Sequence, residues 1–469
     1  MAPLIDDLKQ LEKGVKIDDK EEIHGCLTAF KADNQASHRV GAFKRGFTAE
    51  HCCRYCMMPF CMIQVATREI ESYLRTVEQY NEQVEKLNAC STKEQFKELS
   101  QAFGLNGESP LNDLEFAHAI NVLPPDFFHD IIEHGSLDRT LHFILIRFLT
   151  GETKVMTLNQ FNSRVSEFDF GYSETKPSKI KVGHLDKSNK LHQTGAQLWS
   201  LALITPLILG PLVDVDDEYW INYILILEIT SIIAGYEVSM ETLGFIEFEI
   251  DSYLETFQKL YKVTLTPKQH FLIHYIRLIL LYGPLYQYNT LRQEAKHQFF
   301  KQAIKKIRNL KNPSMTLAQH HQIYLLSCSE EFQEDIKDIG EVEMISKNKL
   351  PFSHLLPPDV EEISTVTWIK NDGVTYVAGK CFVMIDYKNH MPEFGLLSTI
   401  VYANGETKLM CRKVLTLHFD FHLNAYCIQV TKEYQATDLD HLRAPTVYHA
   451  HYVEGDHYII VKRAVGDLY

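Results

Sequence analysis

The sequence predicts an α+β chain: a long helical body followed by a small, separate all-β domain. Three observations predict this. Apolar residues recur at helical spacing from Leu123 to about Glu330, with few breaks. From about Glu341 the chain changes to short β-rich runs, among them VTYVAGKCFVMID, LLSTIVYA, MCRKVLTLHFDFH, AYCIQVT and HYIIVKR. Turn signals such as Asn371-Asp372-Gly373 and Asn404-Gly405 part them. The composition, 45% hydrophobic and 23% charged, is that of an ordinary globular protein, so both parts can bury a core.

The elements follow in order. Leu4, Ile5, Leu8 and Leu11 share one face of a short amphipathic helix that Gly14 stops. Gly25 to Asp33, GCLTAFKAD, alternates as a strand does, with the aspartate at its end. Cys52, Cys53, Cys56 and Cys61 follow as a cluster. Residues 65–101 read as charged helix, with Tyr73, Val77, Tyr80 and Val84 at helical spacing. LPPD, Leu123 to Asp126, reads as a helix start, because prolines fix the entry and Asp126 can cap. Breaks in the helical body are expected near Gly151, Gly171–Gly183, Pro211, Pro267, Gly283 and Pro313, with an exposed loop at KPSKIKVGHLDKSNK. The last part, 341–469, is expected to be a small SH3-like barrel, with Trp368, Tyr376 and Phe382 in its core.

The 469 residues suit two to four domains. A net charge of −14 excludes a surface that is basic throughout, so any nucleic-acid contact is local. Ten scattered cysteines, with no signal peptide before them, point to a reducing compartment where close pairs suggest metal rather than disulfide. Leu198 to Val213 is broken by Pro206, Gly210 and Pro211, and Tyr219 to Tyr236 carries Asn222 and Glu228; both read as buried helices, and no membrane contact is expected.

Two spacings carry chemistry. Cys53 and Cys56 enclose two residues, a pair that supplies half of a tetrahedral zinc site; taken alone it is a weak signal, and two buried free thiols are the other reading. His270 and His274 are four apart and share a face on a helix, which suits a metal; alone they read as half-buried histidines. HFLIH lacks the glutamate of the zinc-protease motif. Asp33 and Glu294 are carboxylates of the type that holds Mg²⁺ in phosphoryl transfer, though neither stands out among 61 acidic residues. Order and gaps tie these groups together. Asp33 lies 20 residues before Cys53, and His274 lies 20 before Glu294.

In that order, Asp, CxxC, a long helical stretch, HxxxH and Glu, the chain resembles the DDE transposases whose RNase H-like core is split by a helical insertion, the CACTA-like and related groups. It is similar above all to transposon-encoded metazoan proteins, through KADNQASHRVGAF, HCCRYC, LPPDFFHDIIEHG, LTPKQHFLIHYIRLILLYGPL and LRQEAKHQFFK. The resemblance spans nearly the whole chain. It implies a partial RNase H-like core with CxxC over 1–64, a helical insertion over 65–266, and returning helices over 267–330 that bring the zinc ligands and the glutamate. It implies structural Zn²⁺ on Cys53, Cys56, His270 and His274, with Asp33 and Glu294 as catalytic residues, the second aspartate and the glutamate. The roles of His129, Asp130 and Glu133 stay open, a capped helix with a polar face being the plain reading.

The family plan also has an earlier aspartate at the end of a strand. Asp6, Asp7, Asp18 and Asp19 lie on an expected helix or loop, and none fits. The expectation is therefore an N-terminally truncated, catalytically inactive remnant in which Asp33 and Glu294 are vestigial; Mg²⁺ would be needed only if activity were retained. Arg292, Lys296, Lys301, Lys305, Lys306, Arg308 and Lys311 make a basic helix, read either as a solvated face or as a set of phosphate contacts to DNA. Three readings follow: an inactive transposon-derived protein, a domesticated DNA- or chromatin-binding protein, or an interaction scaffold without nucleic acid. The first two place the chain in the nucleus, and loss of DNA binding would place it in the cytoplasm. A homo-oligomer is compatible with all three.

Overall fold

Pro206 sits inside an almost wholly buried helix, Gly195–Leu209, and has no N–H to give the Ala202 carbonyl one turn back. The Tyr223 hydroxyl, from the neighbouring helix Glu218–Ile233, donates to that carbonyl at 2.6 Å instead. A break that would cost a buried hydrogen bond thus becomes a contact between helices. Tyr223→Phe is expected to destabilise the protein by about 1–3 kcal/mol, because it leaves the buried carbonyl unpaired; urea unfolding measures it. The stretch Gly195–Leu212 is long and apolar enough to cross a membrane, and 78% of it is buried inside the protein.

The computed structural model describes every residue except 18–20, 48, 187–189, 308–310, 328–338, 357, 359–360, 404–405 and 466–469. Asp18, Asp19, Arg308 and the expected turn Asn404-Gly405 therefore lie outside the described residues, as does most of the expected junction before residue 341. The architecture is mixed α+β, with helices first and a large antiparallel sheet in the C-terminal half. The chain forms two units: Met1–Glu167 with Lys176–Thr290 and Lys462–Tyr469, and Phe168–Thr175 with Leu291–Val461. The cut after Thr290 falls inside the stretch 267–330, and the short segment Phe168–Thr175 belongs to the second unit.

In the first unit the amphipathic helix Ala2–Lys13 forms as its pattern requires, with Ile5 buried and Gly14 at φ 104° ending it. One apolar cluster gathers Ile5, Phe43, Tyr80, Val84, Leu87, Leu105, Leu111 and Leu123, so segments spread from Ile5 to Leu123 share a core. Helices Val77–Asn88 and Lys93–Phe103 start on Thr76 and Thr92, whose hydroxyls cap them. Gly25 to Asp33 corrects an expectation. Its alternation is real, since Cys26 and Thr28 are exposed while Leu27 and Ala29 are half-buried. A strand also needs a partner ladder, and no ladder forms here among the described residues: the segment is tied by isolated backbone bonds, from Gly25 N–H to Leu11 at 3.1 Å and from Phe30 N–H to Val122 at 2.6 Å. The strands among the described residues 1–64 are the two-residue pair Val15–Lys16 and Glu22–Ile23.

In the second unit one antiparallel sheet runs in the order Ala450–Val453, Asp456–Ile459, Ala425–Asp438, Glu406–Asp420, Met391–Ala403, Glu362–Val366, Val342–Ser346. Phe382–Lys388 also pairs with Met391–Ala403. Val366, Ile369, Tyr376, Val383, Leu397, Ile400 and Leu409 fill its core. Tyr376 and Phe382 are buried and Trp368 half-buried. Phe168 stacks on His451 at 4.5 Å, and the Tyr172 hydroxyl donates to the Thr375 carbonyl at 2.8 Å.

Candidate metal centre

Thr266 and Gln269 form a reciprocal cap and Pro267 fixes the first turn, so a helix begins just before the histidines. It runs Pro267–Phe271, tightens to a 3-10 turn at Leu272–His274, and resumes as Tyr275–Tyr282. The i, i+4 spacing survives the tightening, and the Nε2 atoms of His270 and His274 face each other at 3.3 Å. The cysteines reach the same point from a turn. Arg75 N–H donates to Tyr55 and Met57 N–H to Tyr73, which pins the CxxC turn against residues 73–75.

Cys53 Sγ lies 3.6 Å from His274 Nε2, and Cys56 Sγ lies 3.3 Å from His270 Nε2. All four donor atoms fall within 4.8 Å of one another, and all four residues are buried. Zinc bonds of about 2.0–2.1 Å to nitrogen and about 2.3 Å to sulfur give tetrahedral edges of about 3.3 Å (N to N) and about 3.6 Å (N to S). The observed separations sit close to those edges, so the donor set fits zinc. Two thiolates and two imidazoles fill a tetrahedron and leave no open position, which is the pattern of a structural rather than a catalytic ion. Sites 214 and 221 residues apart in sequence are thereby joined.

The electrostatics agree. Burial pushes the Cys53 thiol up, but the Cys56 hydrogen bond and the adjoining imidazoles overturn this and hold it well below the usual thiol range. Burial lowers His270. His274 is raised despite burial, by Cys53 and by Glu69, whose carboxylate meets its Nδ1. The Tyr55 ring lies 5.5 Å from that of His274, with Phe271 5.7 Å away and Arg54 4.4 Å over its face.

A second buried network adjoins this one. Arg54 Nη1 donates to Asn34 Oδ1 at 2.6 Å, Asn34 donates to Asp130 at 2.5 Å, and the Tyr275 hydroxyl donates to Asp130 at 3.0 Å. Asp130 lies on a π-turn, Phe128–Ile132, where LPPD led us to expect a helix start. Asp126 accepts the Phe128 N–H at 3.2 Å, contacts His129 at 2.7 Å and takes the Thr290 hydroxyl. Each half of the donor cluster therefore has a neighbour in sequence, Arg54 or Tyr275, that reaches toward the same carboxylate. Burial pushes Asp130 up to about 6, from an ordinary 3.8, although Arg54 and Asn34 pull it down. An acid raised in this way contributes stability that is full below its unfolded value and lost as pH rises through its folded value. Relative to Asp130→Asn, the parent is expected to lose up to about 3 kcal/mol between about pH 4 and 6. Urea unfolding of both proteins across that window checks the sign; a difference independent of pH would contradict it.

Asp33 ends no strand. It is the N-cap of helix Asn34–Val40, and its Oδ1 accepts the Ala36 N–H at 2.6 Å. Glu294 lies on helix Leu291–Ile307 in the other unit; its side chain and that of Arg292 are outside the described residues. On that helix Lys296, Lys301, Lys305 and Lys306 are exposed, and Lys311 is exposed beyond it. Glu133 precedes His134 and Gly135, and its carbonyl takes the Lys268 amine at 3.0 Å. Sequence reasoning missed Glu69, Arg75 and Arg277. Arg277, one turn after His274, had a signal in its spacing, and the other two had none.

Compared with protein-family models and with curated proteins, the chain matches none.

Proposed function

We propose that this chain is a transposase-derived protein in which a structural zinc, held by Cys53, Cys56, His270 and His274, staples an early turn to a late helix without strand-cleaving activity. One observation carries the reading: four buried donors from two distant segments, separated by the edges of a zinc tetrahedron. The zinc supplies cross-linking alone, because its shell is closed. Asp33 spends its carboxylate on a helix cap, which supports a vestigial rather than catalytic role. In this reading 1–64 descends from an RNase H-like core and 341–469 from an SH3-like barrel; that descent rests on the quoted motifs.

Purified protein should carry about one zinc per chain and show no Mg²⁺-dependent DNA cleavage. Cleavage by the parent that Asp33→Asn and Glu294→Gln abolish would overturn the reading. The exposed lysines Lys296, Lys301, Lys305 and Lys306 favour a second reading, a DNA-binding protein. It requires duplex affinity that falls steeply with salt and is lost when these lysines are replaced. Salt-independent or absent binding leaves the zinc-stapled scaffold. The first two readings imply a nuclear protein.

A further inference from the structure

The two histidines of the centre are not equivalent. His274 Nδ1 meets the Glu69 carboxylate, and Arg277 Nε donates to both oxygens of that carboxylate at 3.0 and 3.1 Å. Arg277 stands three residues after His274 and thus on the same side of the helix, so one helix face delivers both to Glu69. Glu69 comes from the segment just after the CxxC turn, 205 residues earlier in the chain than His274. His270, by contrast, has a buried Nδ1 with no hydrogen-bond partner among the described residues.

We propose that Glu69 and Arg277 form a clasp that presets His274 for the metal and sets how tightly the metal is held. This rests on the zinc reading above. The carboxylate keeps the proton of the neutral imidazole on Nδ1, which leaves the lone pair on Nε2, the nitrogen that faces Cys53 Sγ and His270 Nε2. Arg277 fixes the carboxylate by sharing its Nε–H between both oxygens, so the ring has its orientation before metal arrives. Acceptors of this kind raise the basicity of a ligating imidazole and resist its rotation. Glu69 is a positioning residue, since it touches the ligand and not the ion. His270 lacks such a partner and follows His274 into the site.

The test uses the full chain and Zn²⁺ in competition with a chromophoric chelator. Glu69→Ala should weaken zinc binding about 10- to 100-fold. Glu69→Gln keeps an acceptor and should weaken it less, and Arg277→Met should fall between Glu69→Gln and the parent. Cobalt at saturation should still show two-thiolate charge transfer in each variant, because the four ligands are intact. Arg68→Met breaks the adjoining contact to Asp251 and serves as the structural control; it should leave zinc affinity unchanged. Parent-like affinity in Glu69→Ala, or an equal loss in Arg68→Met, would overturn the clasp. Should Glu69→Ala fail to fold at saturating zinc, parent-like affinity in both Glu69→Gln and Arg277→Met would overturn it. A parent that binds no zinc would instead remove the underlying reading, so the two failures are distinguishable.

Discussion

Cys53→Ser should release the metal and remove on the order of 5 kcal/mol of stability, a large part of what a domain has. The magnitude follows from what the ion replaces. Structural zinc in small domains binds with about 10–16 kcal/mol of apparent free energy, and that energy is folding energy where no preformed site exists in the unfolded chain. Here the first unit also has an apolar core of its own, so part of the ligand set is preorganised and the loss is smaller. Without the ion, donors 3.3–3.6 Å apart stay buried against one another, with the Tyr55 N–H at 3.3 Å a weak further partner for Cys53 Sγ. Denaturant unfolding checks this in a specific way. Parent with chelator and Cys53→Ser with zinc should unfold at the same midpoint, both well below parent with zinc. Three coincident curves would show that the cluster contributes no metal-linked stability.

Arg75→Met should cost about 3–5 kcal/mol and weaken zinc binding as well. Arg75 is buried, and its guanidinium donates to the carbonyls of Cys53 at 2.9 Å, His51 at 3.0 Å and Phe103 at 2.9 Å. One side chain thus satisfies three carbonyls around the CxxC turn, and methionine can satisfy none. The neighbourhood tolerates little adjustment. Gly104 sits at φ 71°, ending helix Lys93–Phe103, and a Cβ there would lie 2.0 Å from the His51 carbonyl oxygen. Arg75→Lys keeps the charge but loses the fork, so it should recover only part of the stability. Urea unfolding together with zinc retention measures both effects; a variant with parent-like stability would show that water replaces the guanidinium without cost.

The candidate metal cluster was legible because its spacings are local: two residues between thiols, three between imidazoles, each the property of one turn. Which turns meet is a tertiary fact, and only the order of motifs hinted at it. Glu69 was illegible for the same reason, since nothing in TREIE distinguishes it from Glu71 until His274 is placed beside it. Asp33 shows a competing signal read the wrong way. An aspartate ahead of a helix is a cap signal, and the alternation before it suggested a strand end instead. The extended segment existed, and the neighbour that would make it a strand did not. The helix and sheet classes followed from periodicity, which tertiary packing did not overturn. The placement of Phe168–Thr175 in the second unit left no trace in pattern or composition, because a short segment joins a distant core through a few side chains such as Phe168 and Tyr172.

X-ray absorption at the zinc edge of the purified full chain tests the central claim most directly. One zinc with two sulfur neighbours at about 2.3 Å and two nitrogen neighbours at about 2.0–2.1 Å is the expected shell. His270→Ala and His274→Ala should each change it. A protein with no zinc, a shell without sulfur, or one indifferent to both histidine variants would contradict the account.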